Sequence, residues 1–125
     1  MRADRVRFPM KHRFTEQTAA DNLLEAIPAA RPVELFDILT EQSNLRIERI
    51  VSWGQVTAPG AWYDQEWSEW VLLLQGAATL RLERSGLQDL HPGSWLLLPA
   101  HCRHRVEFTS SDPPAIWLAV HFRDA

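Results

Sequence analysis

Two histidines three residues apart, His101 and His104, are the residues of this chain best suited by type and spacing to do chemistry. Residues 104–108 follow a Pro-containing turn and alternate like a strand, so that Val106 and Phe108 face the same way as His104. An imidazole on the apolar face of a strand must form a hydrogen bond or bind a metal ion. The spacing therefore predicts a polar site around His104, lined by Val106 and Phe108.

The elements that must position this site are short strands. From Leu45 onward, turns that contain Gly or Pro separate apolar or alternating stretches, and no helical pattern lies among them. Strands are predicted over residues 45–52, 69–75, 79–84, 87–90, 95–98, 104–108 and 116–122. Short strands with Gly/Pro turns and no intervening helices are typical of a sandwich or barrel, so the predicted fold class is all-β.

The N-terminal third of the chain has a different pattern. Residues 1–14 are basic and predict a flexible tail, and the alternative of a nucleic-acid-binding arm has no motif to support it. Residues 15–44 predict a short helical segment, with a helix that begins at Pro32 and extends to about Ser43. The apolar residues of this helix would be Val33, Leu35, Phe36 and Leu39.

The composition argues against several classes of function. The formal net charge of -3 provides no general attraction to nucleic acid or to acidic membranes. The single cysteine, Cys102, rules out an internal disulfide and suits a reducing compartment. No apolar run approaches the length needed to span a bilayer, and the N-terminus lacks the apolar block of a signal peptide. The expected location is therefore the cytoplasm, with neither a membrane nor a nucleic acid as partner.

Two of the predicted strands, residues 69–75 and 116–122, are apolar on both faces. A two-layer monomer would leave one face of such a sheet in contact with water. Something is therefore expected to cover the outside of the sheet, either the N-terminal helix, a second subunit or both. On this ground the expected assembly is a homodimer.

The stretch of residues 60–104 resembles the cupin superfamily, whose members are double-stranded β-helix barrels of the jelly-roll type. The second motif of that family reads Gly, five residues, Pro, one residue, Gly, two residues, His, and Gly93, Pro99 and His104 fit this spacing. The resemblance implies a cupin barrel over residues 45–125, preceded by the helical segment. It also implies that His104 is the metal-binding histidine of the motif.

The two family motifs are only partly kept. His101 stands where the second motif has Gly, and Phe108 replaces a later Asn. In the first motif, Glu69 and Gly76 keep the spacing of Glu, six residues, Gly, but the two histidines expected before the Glu are missing. Their places fall on one of two pairs, Trp62 with Asp64 or Tyr63 with Gln65.

The resemblance implies a metal ion held by three histidines and a glutamate, of which this chain keeps Glu69 and His104. Asp64 and His101 are the further candidate ligands. The candidate pocket-lining residues are Tyr63, Gln65, His121, Val106 and Phe108. Carboxylate-rich ligation favours zinc, manganese or iron over Cu(I). The leading interpretation is a barrel that binds one divalent metal ion and a small molecule, whose identity the sequence does not specify, in its mouth.

Other interpretations stay open. The missing histidines and Phe108 favour a metal-free small-molecule-binding module or a structural dimer without catalysis, in which His104 bonds to Glu69 inside the core. His101 and Asp64 also fit the pattern of solvated turn residues. The sequence does not decide whether the protein is an enzyme, because cupin barrels resemble one another while performing unrelated functions.

Overall fold

The chain folds into two β-sheets that enclose a common hydrophobic core. A computed structural model describes the backbone of residues 6–9 and 17–124 and the side chains of residues 17–124. In this part of the chain the strands are β1 (Val6–Pro9), β2 (Leu35–Gln42), β3 (Leu45–Ser52), β4 (Ser68–Gln75), β5 (Ala78–Leu82), β6 (Gly86–Leu90), β7 (Trp95–Leu98), β8 (His104–Thr109) and β9 (Ala115–Phe122). The larger sheet has the strand order β1-β2-β3-β9-β4-β7 and the smaller one β6-β5-β8. Neighbouring strands are antiparallel except for β1 and β2, which run parallel.

Every strand that the sequence predicts from residue 45 onward is present. Strands β3 and β7 have the predicted bounds, and the others differ by one or two residues at their ends. Side chains of both sheets meet in one core, to which β4 contributes Val71 and Leu73, and the smaller sheet contributes Leu80, Leu90 and Val106. The predicted fold class, an all-β barrel of the jelly-roll type, is therefore confirmed.

The predicted helical segment over residues 15–44 is wrong in its described part, because residues 35–42 form strand β2. Leu35 is buried on the outer side of the sheet, whereas Phe36 is buried in the inner core. The pairing of β2 with β3 also shifts in register after Ile38. A strand that is buried on both faces and contains a register shift loses the simple alternation of a strand, so its apolar residues imitate helical spacing. The described residues contain no helix, and hence none of the length and apolarity needed to cross a bilayer.

The predicted flexible tail, residues 1–14, is described only at Val6–Pro9. These four residues form β1 and pair in parallel with residues 35–38 of β2. At this point the chain is therefore part of the larger sheet. The other residues of the predicted tail lie outside the described part of the structure.

Residues 17–34 have no regular secondary structure, and part of this segment packs on the outer face of the larger sheet. The guanidinium group of Arg49, on β3, donates to the backbone carbonyl oxygens of Leu23 and Glu25 at 3.1 and 3.0 Å. Ile27 packs against an outer apolar cluster that contains Val51. The expected cover of the outer face is thus provided in part by an irregular segment, held by one arginine, and not by a helix.

Part of the outer face remains exposed at β7, which is an edge strand of the larger sheet. Trp95 and Leu97 are 59% and 51% exposed. The ring centroid of Trp95 lies 6.1 Å from that of Trp70 on the neighbouring strand β4. Adjacent exposed apolar side chains of this kind are typical of surfaces that a partner covers. The expected homodimer stays a prediction.

The loop between β3 and β4 runs beside the edge strand β8 of the smaller sheet. The backbone N–H of Thr57 donates to the carbonyl oxygen of Val106 at 3.0 Å, and the Thr57 hydroxyl accepts from the N–H of Val106 at 2.8 Å. Further along, Tyr63 and His104 exchange backbone hydrogen bonds of 2.7 and 3.1 Å. The loop is thereby fixed next to His104, and it carries three of the candidate site residues, Tyr63, Asp64 and Gln65.

Gly76 ends β4 at a position where the chain comes very close to another segment. Its φ is +82°, in the left-handed region that glycine adopts without strain. A Cβ atom at this position would lie 2.5 Å from Oγ of Ser110 and 2.9 Å from the carbonyl oxygen of Pro114. Both the backbone conformation and the close approach therefore require glycine here, which accounts for the Gly of the first motif.

Candidate functional site

Strands β3, β4 and β9 bring two glutamates and a histidine to the inner face of the larger sheet. Glu69 of β4 lies opposite His121 of β9, and His121 lies opposite Arg46 of β3. Because side chains alternate along a strand, Glu48 lies on the same face as Arg46. The side chains of Glu48, Glu69 and His121 are all buried. The sheet therefore holds these ionisable groups inside the barrel.

The carboxylate of Glu69 lies between two imidazole rings. Its Oε1 is 4.0 Å from Nε2 of His104, and its Oε2 is 3.9 Å from Nε2 of His121. Both N···O distances are longer than that of an N–H···O hydrogen bond, which is at most about 3.2 Å. Two ligand atoms at about 2.0–2.2 Å from a tetrahedral zinc ion are about 3.3–3.6 Å apart, so each pair would have to come closer to share an ion.

The orientation of His104 is set by the backbone immediately before β8. Its Nδ1 lies 2.8 Å from the carbonyl oxygen of Cys102. A carbonyl oxygen only accepts, so Nδ1 carries the hydrogen and donates it. In the neutral ring Nε2 then has the lone pair, and Nε2 is the atom that faces Glu69. This is the protonation state in which an imidazole binds a metal ion.

His121 is held by a different partner. Its Nε2 lies 2.8 Å from Oε1 of Glu48. An ionised carboxylate only accepts, so Nε2 of His121 donates its hydrogen to Glu48. His121 can bind a metal ion through Nε2 only if the ion replaces this hydrogen. The side chains of this pair are almost completely inaccessible to solvent, which makes the pair a structural element as well as a candidate part of the site.

The side chains of Glu69, His104 and His121 are not arranged as a metal centre in this structure. Among residues 17–124, no group of three or more His, Cys, Asp or Glu side chains is arranged to hold an ion. The chemistry of the donor set around Glu69 does suit one, because first-row transition metals accept carboxylate and imidazole together. Binding would require a small rearrangement around Glu69 and the release of His121 from Glu48.

A small cavity lies beside His104 in the barrel. Its lining includes Tyr63, Leu98, Val106 and Trp117, and the ring centroid of Tyr63 is 5.4 Å from that of His104. The space that the centre of a water molecule can occupy there is about 20 Å³. This is room for one or two water molecules, whereas drug-sized ligands occupy pockets of about 300–1,000 Å³. An organic ligand must therefore bind at the mouth or displace side chains.

The two other candidate ligands, Asp64 and His101, form a separate pair at the surface. Nδ1 of His101 lies 2.7 Å from Oδ1 of Asp64, and their side chains are 66% and 50% exposed. The backbone N–H of His101 donates to the carbonyl oxygen of Gln65 at 2.8 Å. The structure therefore divides the four candidate ligands into a buried pair, Glu69 with His104, and an exposed pair that is not part of it.

The residues predicted to line the pocket lie in different parts of the structure. Tyr63 and Val106 do line the cavity beside His104. His121 is buried in the hydrogen bond with Glu48. Gln65 is half-buried, and its backbone carbonyl holds the turn that carries His101.

Phe108 does not line the barrel, and that prediction is wrong. The side chain is 49% exposed, whereas the next residue, Thr109, is buried. The pairing of β5 with β8 shifts in register so that Leu80 pairs with Val106 and Thr79 pairs with Phe108. The intervening Glu107 is an extra residue, a β-bulge, and such a residue reverses the faces of those that follow it.

Glu48 is the site residue that the sequence interpretation missed. It lies in a predicted strand, on the same face as Ile50, which belongs to the core. A carboxylate two residues from a core isoleucine in a strand faces the same interior, where a charge needs a partner. This pattern was the available signal, and His121 is the partner that the fold provides.

The family model described as Cupin domain matches residues 53–121, which is more than half of the chain. The matched region begins after β3 and includes Glu69, His104 and His121. None of the curated proteins compared with the chain is significantly similar to it.

Solved structures give close matches in shape. A protein from Ralstonia eutropha JMP134, described as a "putative mannose-6-phosphate isomerase", is 43% identical, with 85% of this chain and 99% of that chain covered and a TM-score of 0.81. A cupin superfamily protein from Desulfitobacterium hafniense DCB-2 is 21% identical, with 87% and 94% covered and a TM-score of 0.72. A conserved protein of unknown function from Streptococcus pyogenes is 16% identical, with 89% and 92% covered and a TM-score of 0.70. The last two likenesses concern the fold alone.

Proposed function

Because this chain belongs to the cupin domain family, we propose that it binds one divalent transition-metal ion inside its barrel and a small molecule at the barrel mouth. Glu69 and His104 would be the primary ligands, and His121 a third. Zinc, manganese and iron are the candidate ions, since each accepts carboxylate and imidazole ligands.

The observation that carries the proposal is the position of Glu69. Its two carboxylate oxygens face the Nε2 atoms of His104 and His121 at 4.0 and 3.9 Å. These separations exceed hydrogen-bonding distance, and each pair would have to come closer by about 0.5 Å to share one tetrahedral ion. The hydrogen bond from Nδ1 of His104 to the backbone supports the proposal further, because it leaves Nε2 as the metal-binding atom.

The residues around these ligands have roles that follow from their positions. Glu48 holds the ring of His121 through Nε2 in the metal-free protein and would release this atom when His121 binds the ion. The apolar side chains of Val106 and Trp117 limit the access of water. The phenol ring of Tyr63, packed beside His104, would contact a molecule that enters from the mouth. A bound ion would supply Lewis-acid polarisation of an oxygen atom of that molecule.

Elemental analysis of protein purified without chelator tests the proposal. We expect close to one transition-metal ion per chain, which is lost in His104→Ala and in Glu69→Gln. The matched control is His101→Ala, because His101 lies three residues from His104 but has an exposed side chain, and it should keep the metal. Circular dichroism establishes that each variant is folded. Wild-type protein that takes up no zinc, manganese or iron on dialysis, or His104→Ala that binds metal fully, would contradict the proposal.

A second candidate is a metal-free module whose barrel is filled by its own side chains. The direct hydrogen bond of 2.8 Å between Glu48 and His121 and the small cavity of about 20 Å³ favour it. The same elemental analysis separates the two candidates. On the second one, His104→Ala changes stability alone and no metal is found in any variant.

The relative from Ralstonia eutropha suggests a first assay for catalysis. Its description names mannose-6-phosphate isomerisation, and it is 43% identical to this chain. We propose to test the interconversion of mannose 6-phosphate and fructose 6-phosphate with the metal-loaded protein. Turnover that is absent in Glu69→Gln and kept in His91→Ala, whose side chain is exposed, would assign the activity to the barrel. The absence of turnover in metal-loaded wild type would exclude this substrate.

A further inference from the structure

A second cleft lies on the outside of the barrel, at the turn between β7 and β8. Its volume is about 480 Å³, and the residues that line it include Glu83, Arg84, Pro99, His101 and Arg103. This volume falls in the range of about 300–1,000 Å³ that is usual for small-molecule sites. The cavity beside His104, at about 20 Å³, is far smaller. The outer cleft is therefore the opening on this turn that has room for an organic molecule.

His101 has an unusual backbone conformation, which points to a role for its side chain. Its φ is +64°, in the left-handed region that is unfavourable for residues with a Cβ atom. The cupin motif has Gly at this position, and Gly adopts the conformation without strain. Histidine is one of the non-glycine residues that adopt this conformation more often, and the hydrogen bond of its ring to Asp64 is an interaction that offsets the strain, so His101 is a candidate functional residue.

The imidazole of His101 is also held in one orientation. Its Nδ1 donates to Oδ1 of Asp64 at 2.7 Å, since the ionised carboxylate only accepts. In the neutral ring, Nε2 is then the acceptor. Asp64 belongs to the loop after β3, which is itself fixed to β8, so the pair joins two separate segments of the chain. His101 therefore brings an oriented hydrogen-bond acceptor to the cleft.

The charges of the cleft favour an anion. Two cations, Arg84 and Arg103, line the cleft with one carboxylate, Glu83, and a second carboxylate nearby, that of Asp64, is already held by the ring of His101. Arg103 lies 3.2 Å from Glu83 in an ion pair whose side chains are 43% and 50% exposed. Exposed ion pairs of this kind stabilise a protein little, so an incoming anion can compete with Glu83 for the guanidinium group. The guanidinium carbon of Arg103 also lies 5.4 Å from the ring centroid of Trp62, which limits its movement.

We propose that this outer cleft binds a small hydroxylated anion, with its carboxylate or phosphate group on Arg84 and Arg103 and its hydroxyl group donating to Nε2 of His101. Asp64 is a positioning residue that fixes the ring of His101. The site is separate from the barrel interior, because His104 faces inward from the same turn while His101 faces out. It does not depend on whether a metal ion binds at Glu69.

Two pairs of anions test the proposal in NMR titrations of the isotope-labelled full chain. Glycolate is compared with acetate, and 2-hydroxyethyl phosphate with ethyl phosphate, so that each pair differs in one hydroxyl group and the two pairs distinguish carboxylate from phosphate. We expect saturable shifts of the His101 ring resonances with at least one hydroxylated anion, and none of His91, an exposed histidine outside the cleft. The hydroxylated member should bind about threefold to tenfold more tightly, as expected for one added hydrogen bond.

Three variants assign the contacts. Arg84→Ala or Arg103→Ala should weaken binding about tenfold, because a charge-assisted hydrogen bond is lost. His101→Gly removes the imidazole without straining the backbone and should abolish the preference for the hydroxylated anion. Asp64→Asn should change the nitrogen chemical shifts of the His101 ring, which report its tautomer.

Several results would overturn the proposal. They are the absence of saturable shifts with all four anions, unchanged affinity in both arginine variants, and a preference for the hydroxylated anion that survives in His101→Gly. The last result, with a large fall in the melting temperature of His101→Gly, would assign the Asp64–His101 pair to holding the loop in place.

Discussion

Nε2 of His121 and Oε1 of Glu48 lie 2.8 Å apart inside the barrel, although 73 residues separate them in the sequence. The two residues come from the neighbouring strands β3 and β9, and both side chains are buried. A buried hydrogen bond to a carboxylate contributes more to the free energy of unfolding than one at the surface. Breaking it also lowers this free energy more, because a buried polar group loses its partner. This pair therefore connects the stability of the barrel with the chemistry proposed for its interior.

The first prediction concerns that pair. We expect Glu48→Ala to lower the free energy of unfolding by about 3 kcal/mol, since removing the acceptor of a buried hydrogen bond leaves the donor of His121 unsatisfied. Urea denaturation measures the change. Asp64→Ala is the matched control, because it breaks another Asp/Glu–His hydrogen bond, of 2.7 Å, at an exposed site, where about 0–1 kcal/mol is expected. An equal loss of unfolding free energy in Glu48→Ala and Asp64→Ala would contradict the prediction that burial strengthens the Glu48–His121 hydrogen bond.

The second prediction compares two glycines with nearly the same backbone conformation. Gly76 and Gly86 have φ of +82° and +83°, but a Cβ atom would meet Ser110 and Pro114 at Gly76 and nothing within 4 Å at Gly86. Gly86→Ala should therefore lower the free energy of unfolding by about 1–2 kcal/mol, which is the strain of a residue with a Cβ atom in the left-handed region. Gly76→Ala should lower the free energy of unfolding by about 1–3 kcal/mol more, because its Cβ atom is too close to Ser110 and Pro114. Thermal and urea unfolding measure both, and a Gly76→Ala variant as stable as Gly86→Ala would show that the contacts at Gly76 relax freely.

The third prediction concerns the dependence of stability on pH. The hydrogen bonds from Arg105 and then from Arg81 lower the pKa of Glu107 below its ordinary value of 4.5. A group whose pKa is lowered by folding stabilises the fold above its unfolded pKa, and this stabilisation is lost as the pH falls through the folded pKa. Wild type should therefore be more stable than Glu107→Gln at neutral pH, and the difference should vanish in strong acid. Unfolding curves collected from pH 7 downward test this, and a difference that grows in acid would contradict it. The effect is small, since the carboxylate is exposed to solvent.

The fourth prediction is that two copies associate through β7. This strand is an edge of the larger sheet, and its exposed Trp95 and Leu97 continue the apolar surface of Trp70 on β4. We expect light scattering to give the mass of a dimer for the wild type and of a monomer for Trp95→Glu combined with Leu97→Glu. Leu87→Glu is the control, because Leu87 is an exposed leucine of the smaller sheet and should leave the dimer intact. A wild-type monomer, or a dimer that survives the double substitution, would contradict this interface.

Strand positions from residue 45 onward could be predicted because turns and alternation carry the information locally. The failures come from the pairing between strands, which is not local. Strand β2 was interpreted as a helix because Leu35 and Phe36 are buried on opposite faces and the register shifts after Ile38. Phe108 was placed inside because the extra residue Glu107 leaves no mark in the pattern. Register shifts depend on the partner strand, and no single segment of sequence contains that information.

The candidate site could be predicted only in part. Glu69 and His104 follow from the motif spacing, and the structure buries both. The separation of Asp64 and His101 from them depends on the direction in which the turn before β8 projects each side chain, which spacing alone does not give. Glu48 and His121 meet through the pairing of β3 with β9, a contact between distant parts of the chain.

The loop that runs beside β8 has a consequence for solubility. An edge strand with open backbone groups can pair with another molecule and start aggregation. At β8, the hydrogen bonds with Thr57 and Tyr63 occupy this edge, and the hydroxyl of Thr109 donates to the carbonyl of Gln55 at 2.7 Å. The loop that carries the site residues thus also shields the smaller sheet from intermolecular pairing. Substitutions that detach this loop should produce insoluble protein even where both sheets remain folded.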